Sequence, residues 1–294
     1  MARHMSEEPA SAIPPLAPTG RVMVFDSGVG GLTVAQQISE LAPGLIIDYA
    51  ADTGFFPYGD KSDAALRDRL PRAAKALVAA ARPDVFVIAC NTASTLALPD
   101  MRTALDIPVV GTVPAIKPAA ATSRSHVIGL LATPGTLSRA YTADLIAAFA
   151  SHARVVAHGS IELVRLAEAH AAGDRPPLDA FARAQAPLFA APHGDEIDTV
   201  VLACTHFPLV REQLLATAPR PLNYIDSGHA IARQTLRVLP AASDRKRDAG
   251  TAYATSPDAT EGRFAGMLAR YGFPDVSVVS VAPAAGDAAS PSRA

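Results

Sequence analysis

The sequence predicts an α/β protein of two doubly wound units, each on a mostly parallel sheet, with polar signatures gathered in a cleft between them. Three observations carry this. Apolar runs rich in Val and Ile alternate along the chain with Ala- and Leu-rich helical patterns. The first run, Val22-Met-Val-Phe25, passes through a Gly-rich turn into a helical pattern, the opening of a doubly wound unit. Two distant runs also end alike. Val85-Phe-Val-Ile-Ala-Cys90-Asn-Thr-Ala-Ser94 and Thr199-Val-Val-Leu-Ala-Cys204-Thr-His-Phe-Pro208 each close on Ala-Cys and then small polar residues.

Taken in order, Met1–Gly20 reads as a disordered tail, Pro/Ala-rich and without the apolar core of a secretory signal. After Val22–Phe25 comes Asp26-Ser-Gly-Val-Gly-Gly31 and a helix carrying Leu32, Val34, Ala35, Ile38 and Leu41. Leu45–Tyr49 is a strand, and 52–62 an irregular loop dense in turn residues. A helix is expected over 63–82 despite Pro71, then the Cys90 strand, then a helix over 92–105 broken or bent near Pro99. Pro108–Val113 is a short strand, and Pro114–Pro118 reads as a linker. The second half repeats the alternation: strand His126–Leu131, turn, helix near 141–149, strand Arg154–Ala157, then helices over 161–172 and 178–188. The Cys204 strand, a helix over 209–216, strand Leu222–Ile225 and helix 229–239 follow. The stretch 241–250 is polar and charged, late strands flank a helix at 260–271, and 282–294 is expected to fray. Ligands of such sheets sit at the carboxyl ends of strands, where every polar signature here falls.

Composition narrows the function. The chain has 294 residues, 49% of them hydrophobic and 18% charged, enough for a large core and unlike a disordered protein. A formal net charge of -2 points to neither nucleic acid nor an anionic membrane as the main partner. Trp is absent and aromatics are 5%, a poor basis for stacking bases or sugars. No apolar run is long enough to span a bilayer. A cytoplasmic protein is the expectation, in which two cysteines are more often reactive or buried than bridged.

Cys90 opens a helix, whose unpaired N–H groups are expected to lower its thiol pKa. No metal site is expected, because two lone cysteines give too few ligands. A covalent hydrolase would use one Cys, with His206 as base for Cys204, and would leave the other without a task. Two thiols facing one carbon suit a different reaction. One removes a proton from one face and the other delivers a proton to the opposite face, inverting a stereocentre without a cofactor. A single strand-end Cys is usually packing; two with the same flanks favour function. Asp26, at a strand end, either holds an ammonium group or thiol proton, or caps a helix. Gly28, Gly30 and Gly31 do not meet a dinucleotide fingerprint and can serve a tight turn. A pyridoxal enzyme is not supported, since neither Lys61 nor Lys117 sits in a suitable setting.

The series Phe25-Asp-Ser-Gly-Val-Gly-Gly-Leu-Thr33, Pro57-Tyr-Gly59 with Lys61-Ser62, Ala89-Cys-Asn-Thr-Ala93, Ala203-Cys-Thr-His206 and Ile225-Asp-Ser-Gly228 resembles the cofactor-independent aspartate/glutamate racemase superfamily, on its glutamate-racemising branch. The match spans about 21–240 in the family's order. The resemblance implies interconversion of L- and D-glutamate by two-base proton transfer at Cα, supplying D-glutamate for peptidoglycan. It implies that Cys90 takes the α-proton of the D-enantiomer and Cys204 that of the L-enantiomer. Asp26 assists Cys90; His206, with Glu168, assists Cys204. Ser27, Pro57, Tyr58, Gly59, Asn91, Thr92, Thr133, Thr136 and Thr205, together with Asp26 and His206, hold the substrate. By periodicity alone, Glu168 belongs on a helix surface. The resemblance further implies a homodimer, no cofactor, and a first domain of 21–113 completed by 225–281, with 114–224 as the second. Two segments depart from the family. Asp52-Thr-Gly-Phe-Phe-Pro-Tyr-Gly59 stands where Asp-Thr-Ala-Arg-Val-Pro-Tyr-Gly is usual, and His158-Gly-Ser-Ile-Glu162 lacks the usual Cys-Pro. Rival readings are a racemase of a related acid such as aspartate, a hydrolase or isomerase using one Cys covalently, and a binding or regulatory protein that keeps the fold.

Overall fold

The computed structural model describes residues 19–240 and 249–282. The expected N-terminal and C-terminal tails and most of the charged 241–250 stretch lie outside them. The chain runs β1 (Arg21–Asp26), α1 (Leu32–Leu41), β2 (Ile46–Ala51), two 3-10 turns (Thr53–Phe55, Tyr58–Asp60), α2 (Asp63–Ala81), β3 (Val85–Ile88), α3 (Asn91–Ala104) and β4 (Val109–Gly111). It continues through α4 (Ile116–Thr122), β5 (Val127–Ala132), α5 (Pro134–Leu137), α6 (Ala140–Phe149), β6 (Arg154–Gly159), α7 (Ile161–Ala171) and α8 (Leu178–Ala190). Then come β7 (Thr199–Ala203), a 3-10 turn (Phe207–Val210), α9 (Arg211–Ala216), β8 (Asn223–Ile225), α10 (Gly228–Val238), β9 (Ala252–Ala254), α11 (Gly262–Arg270) and β10 (Val276–Val278).

These strands form two sheets, ordered β10-β9-β2-β1-β3-β4 and β6-β5-β7-β8, and every pairing is parallel. The alternation in the sequence dictates this, since a helix between successive strands returns the chain to the same sheet edge. Each sheet is covered on both faces. In the first, α1 and α10 bury Ile38 and Ile231 on one side while α2 and α3 bury Leu70 and Met101 on the other. In the second, α7 and α8 bury Leu163 and Phe181 on one face and α4 buries Ile116 and Ala119 on the other. Two-sided burial explains why β3 and β7 read as unbroken apolar runs. No described helix is long and apolar enough to cross a membrane.

Two local expectations need correction. Pro114–Pro118 is not a linker throughout, because α4 begins at Ile116 and packs on β5 and β7. The chain crosses between the sheets just before it. It crosses again after β8, and Ser227 Oγ donates to Val113 O at 2.5 Å, tying the two crossings together. Pro99 does not break α3. The helix runs on to Ala104 because burial of Leu96, Ala97 and Met101 outweighs the one hydrogen bond that proline cannot make.

The loop before α2 is anchored by buried Asp52. Its carboxylate accepts from Tyr58 Oη (2.7 Å), Arg69 Nη2 (2.6 Å) and Nε (3.0 Å), and Thr255 Oγ1 (2.5 Å). These bonds fix the Pro57–Gly59 segment and join it to the returning C-terminal strand. Asp52→Ala leaves Arg69 unpaired in a half-dry site, and a loss of about 3–5 kcal/mol is expected. Thermal unfolding checks this, with Tm expected to fall by roughly 10 °C.

Candidate active site

β3 and β7 are interior strands of their respective sheets, and each carries a cysteine just past its carboxyl end. Cys90 is the N-cap of α3, and Cys204 precedes the turn Phe207–Val210. Both thiols are free, only 7% exposed, and line one cavity of about 510 Å³. Its walls include Ser27, Pro57, Tyr58, Gly59, Asn91, Thr92, Thr133, Thr205 and His206, all named from the sequence.

The surroundings of the two thiols differ. Beside Cys204, His206 places Nδ1 3.8 Å from Sγ and Nε2 2.7 Å from Glu168 Oε1. Burial by itself opposes a charged imidazole. The bonds to Cys204 and Glu168, and the charges of both, overcome it and raise His206 well above its ordinary value. On the other side, Asp26 is fully buried. Its Oδ2 accepts from Thr205 Oγ1 at 2.8 Å, and its Oδ1 accepts from Ser27 Oγ and Gly28 N, each at 3.1 Å. Burial raises the Asp26 pKa against the opposing pull of His206 and these three donors. The expected lowering of the Cys90 thiol does not occur. Burial pushes it up, the neighbouring Asp26 charge adds to the shift, and the N–H groups of Ala93 and Thr92 do not compensate. A helix terminus in a dry pocket is weaker than the cost of desolvating a thiolate beside a carboxylate.

Four other named residues sit differently from the expectation. Glu168 is not a surface residue; with 23% of its side chain exposed, it turns inward to His206 and also accepts from Val29 N. Tyr58 lines the wall, while its hydroxyl is taken up by a bond to Asp52. Thr136 is fully buried and lies behind the wall, bonded to Thr133 and Thr92. Asp26 likewise lines no part of the cavity directly and lies behind it, bonded to Thr205 and Ser27. Asn91 Oδ1 is buried without a hydrogen-bond partner, an acceptor left open on the cavity side of α3.

Sequence reasoning missed Phe56, Asp60, Ile161, Val164 and Arg165 in the wall. Ile161, Val164, Arg165 and Glu168 fall at i, i+3, i+4 and i+7 of α7, one helix face, so that spacing was the available signal. The glycine turn also has a sharper purpose than a tight bend. A Cβ on Gly30 would lie 2.5 Å from His206 Nδ1, and 2.8 Å from both His206 N and Thr205 Oγ1. Gly30→Ala is therefore expected to displace the imidazole and lower turnover at least about 10²-fold, the usual cost of a misplaced catalytic group. Steady-state kinetics check this, with a melting curve to confirm folding.

Two free thiols line one cleft, one paired with an imidazole and the other beside a carboxylate, and the class this fits is the isomerases. The chain belongs to the Asp/Glu/Hydantoin racemase family, whose profile matches residues 33–235. Its relatives there are glutamate racemases. That of Salmonella gallinarum is 44% identical over 277 residues, 93% of this chain and 97% of its own length. The crystal structure of Escherichia coli glutamate racemase, in complex with L-glutamate and the activator UDP-MurNAc-ala, is also 44% identical. It superposes with a TM-score of 0.84, covering 90% of this chain and all of that one. Bacillus anthracis glutamate racemase RacE1 superposes with a TM-score of 0.73 at 26% identity, covering 89% and 97%.

Proposed function

We propose that this protein interconverts L- and D-glutamate by proton transfer between Cys90, Cα and Cys204, and so supplies D-glutamate for peptidoglycan in the cytoplasm. The observation that supports it most is the pair of strand-end thiols lining one cavity with unlike partners.

With L-glutamate bound, the Cys204 thiolate takes the α-proton and the Cys90 thiol delivers its proton to the opposite face. D-glutamate runs the same steps backwards. The protonation pattern suits the first direction. Burial keeps Cys90 a thiol, and the His206 cation stands against Cys204. In the second, Cys90 must lose its proton, and the substrate's ammonium group offsets the nearby Asp26 charge. Asn91 Oδ1 and the Asp26 side of the cleft receive that ammonium group. Hydroxyls of Thr92 and Thr133 and the N–H groups opening α3 receive a carboxylate. Arg139 steadies this corner, donating to Thr92 O at 3.2 Å and to Asp63 Oδ1 at 2.7 Å. The working unit is a homodimer, each chain forming one domain from 21–113 with 225–281 and another from 114–224.

The test is incubation with L-glutamate, and separately L-aspartate, in heavy water. Loss of optical rotation with α-deuterium uptake is expected for glutamate with no added cofactor. Faster racemisation of aspartate, or of neither acid, overturns the assignment.

A further inference from the structure

A second cavity of about 290 Å³ lies on the far side of Phe56 from the one holding the two thiols. It is lined by Gly28, Phe56, Glu168, Ser256, Asp258 and Phe264, among others. Phe56 and Ser27 belong to both cavities and form the wall between them. His206 lines only the first, and Glu168 only the second. The 2.7 Å bond between them therefore passes through the wall. The wall is closely fitted there. The Phe56 ring centroid is 6.3 Å from that of His206, and a Cβ on Gly28 would lie 2.5 Å from Glu168 Oε1 and 2.8 Å from the Phe56 ring. The carboxylate on the Cys90 side is placed differently. Asp26 lines neither cavity and is 0% exposed, its oxygens occupied by Thr205, Ser27 and Gly28.

We propose that Glu168 and the second cavity form a proton path with its own opening to solvent, serving His206 while substrate fills the first cavity. The proposal rests on the two-base reading above. When the Cys204 thiolate takes the α-proton of L-glutamate, the C–H bond breaks and an S–H bond forms. The imidazolium has then lost the thiolate charge beside Nδ1 and keeps only the Glu168 carboxylate beside Nε2. Its Nε2–H bond breaks, Glu168 Oε1 gains the proton, and water in the second cavity removes it. In the reverse direction, Cys204 gives its proton to the carbon, and Nε2 regains one from water through Glu168. Thiolate and imidazolium thus appear and vanish together, and the summed charge of Cys204, His206 and Glu168 is the same before and after the cycle. Phe56 and Ser27 stand between the two cavities, so the exchanged proton and the substrate use different doors.

The test is chemical rescue. Glu168→Ala opens the second cavity further and removes the proton acceptor, and turnover is expected to fall about 10²-fold. Sodium formate should restore much of it, in proportion to its concentration, and should still do so at saturating L-glutamate because formate enters by the second opening. Glu168→Gln keeps the hydrogen-bonding shape without accepting a proton. It should show the low turnover with KM near wild type, and formate should not help. Rescue that disappears as glutamate rises places formate in the substrate cavity and overturns the second opening. Glu168→Gln turning over at the wild-type rate overturns proton passage, as does absence of rescue in a Glu168→Ala protein that still binds glutamate. Failure of the underlying reading is separate, since wild-type protein would then racemise no glutamate.

Discussion

Cys90→Ala and Cys204→Ala are each expected to abolish interconversion of the glutamate enantiomers, with losses of at least about 10⁴-fold. Inversion needs a proton taken from one face of Cα and another delivered to the opposite face. Both thiols line the one cavity, so each variant removes one of the two proton carriers that inversion requires. Asp26 is fully buried behind the wall, and His206, which lines the cavity beside Cys204, is held to Glu168 through Nε2. Each variant keeps one competent face. Cys204→Ala can still exchange the α-proton of D-glutamate at Cys90, with retention, and Cys90→Ala that of L-glutamate at Cys204. Proton NMR in heavy water, read beside optical rotation, separates slow exchange from inversion. Persistent racemisation in either variant sinks the two-base mechanism. Cys→Ala at a buried site removes little volume, so near-native melting curves are expected and loss of activity cannot be put down to unfolding.

His206→Asn is expected to cost about 10²-fold in kcat/KM, and equally in both directions. The equality is thermodynamic. Mirror-image substrates have equal free energies in water, so the two kcat/KM values stay equal in any variant. The asymmetry of the site can therefore appear only in kcat and KM taken separately. The L-to-D direction should lose more kcat, because it draws on the thiolate that the His206 cation supports. The pH profile gives a second readout. His206 is raised well above its ordinary value, so it stays charged through neutrality and loses its proton on the alkaline side. The wild-type kcat/KM should fall there as the cation is lost, and this alkaline limb should move in His206→Asn. An unchanged limb would show that another group sets it. The same shift bears on stability. A raised imidazole stabilises the fold fully below its unfolded value near 6.5, and that contribution fades as pH rises through the folded value.

Much of the fold was legible because the local rules agree. Each strand run is apolar and β-branched, each helix has a periodic face, and turn residues separate them. Errors arose where tertiary burial outranks local preference. Pro99 reads as a break or a bend, and the break is absent, since α3 continues because its neighbours hold it. Pro114–Pro118 reads as a linker, yet Ile116 has a core to enter. The helix-opening Cys90 reads as acidified, yet a dry pocket and Asp26 reverse the sign.

The sequence alone determined the two thiols, their matching strand ends, the alternation that makes both sheets parallel, and the residues that follow each strand. Those are one-dimensional facts: hydrophobic period, turn chemistry and motif spacing. Only the tertiary structure decided that Glu168, 38 positions before His206, meets it at 2.7 Å, that Gly30 must lack a side chain for that imidazole to fit, and that Phe56 divides two cavities. Proton affinities belong to this second group. They depend on how much water the packed chain excludes and which charges it brings together, and neither is a property of spacing along the chain.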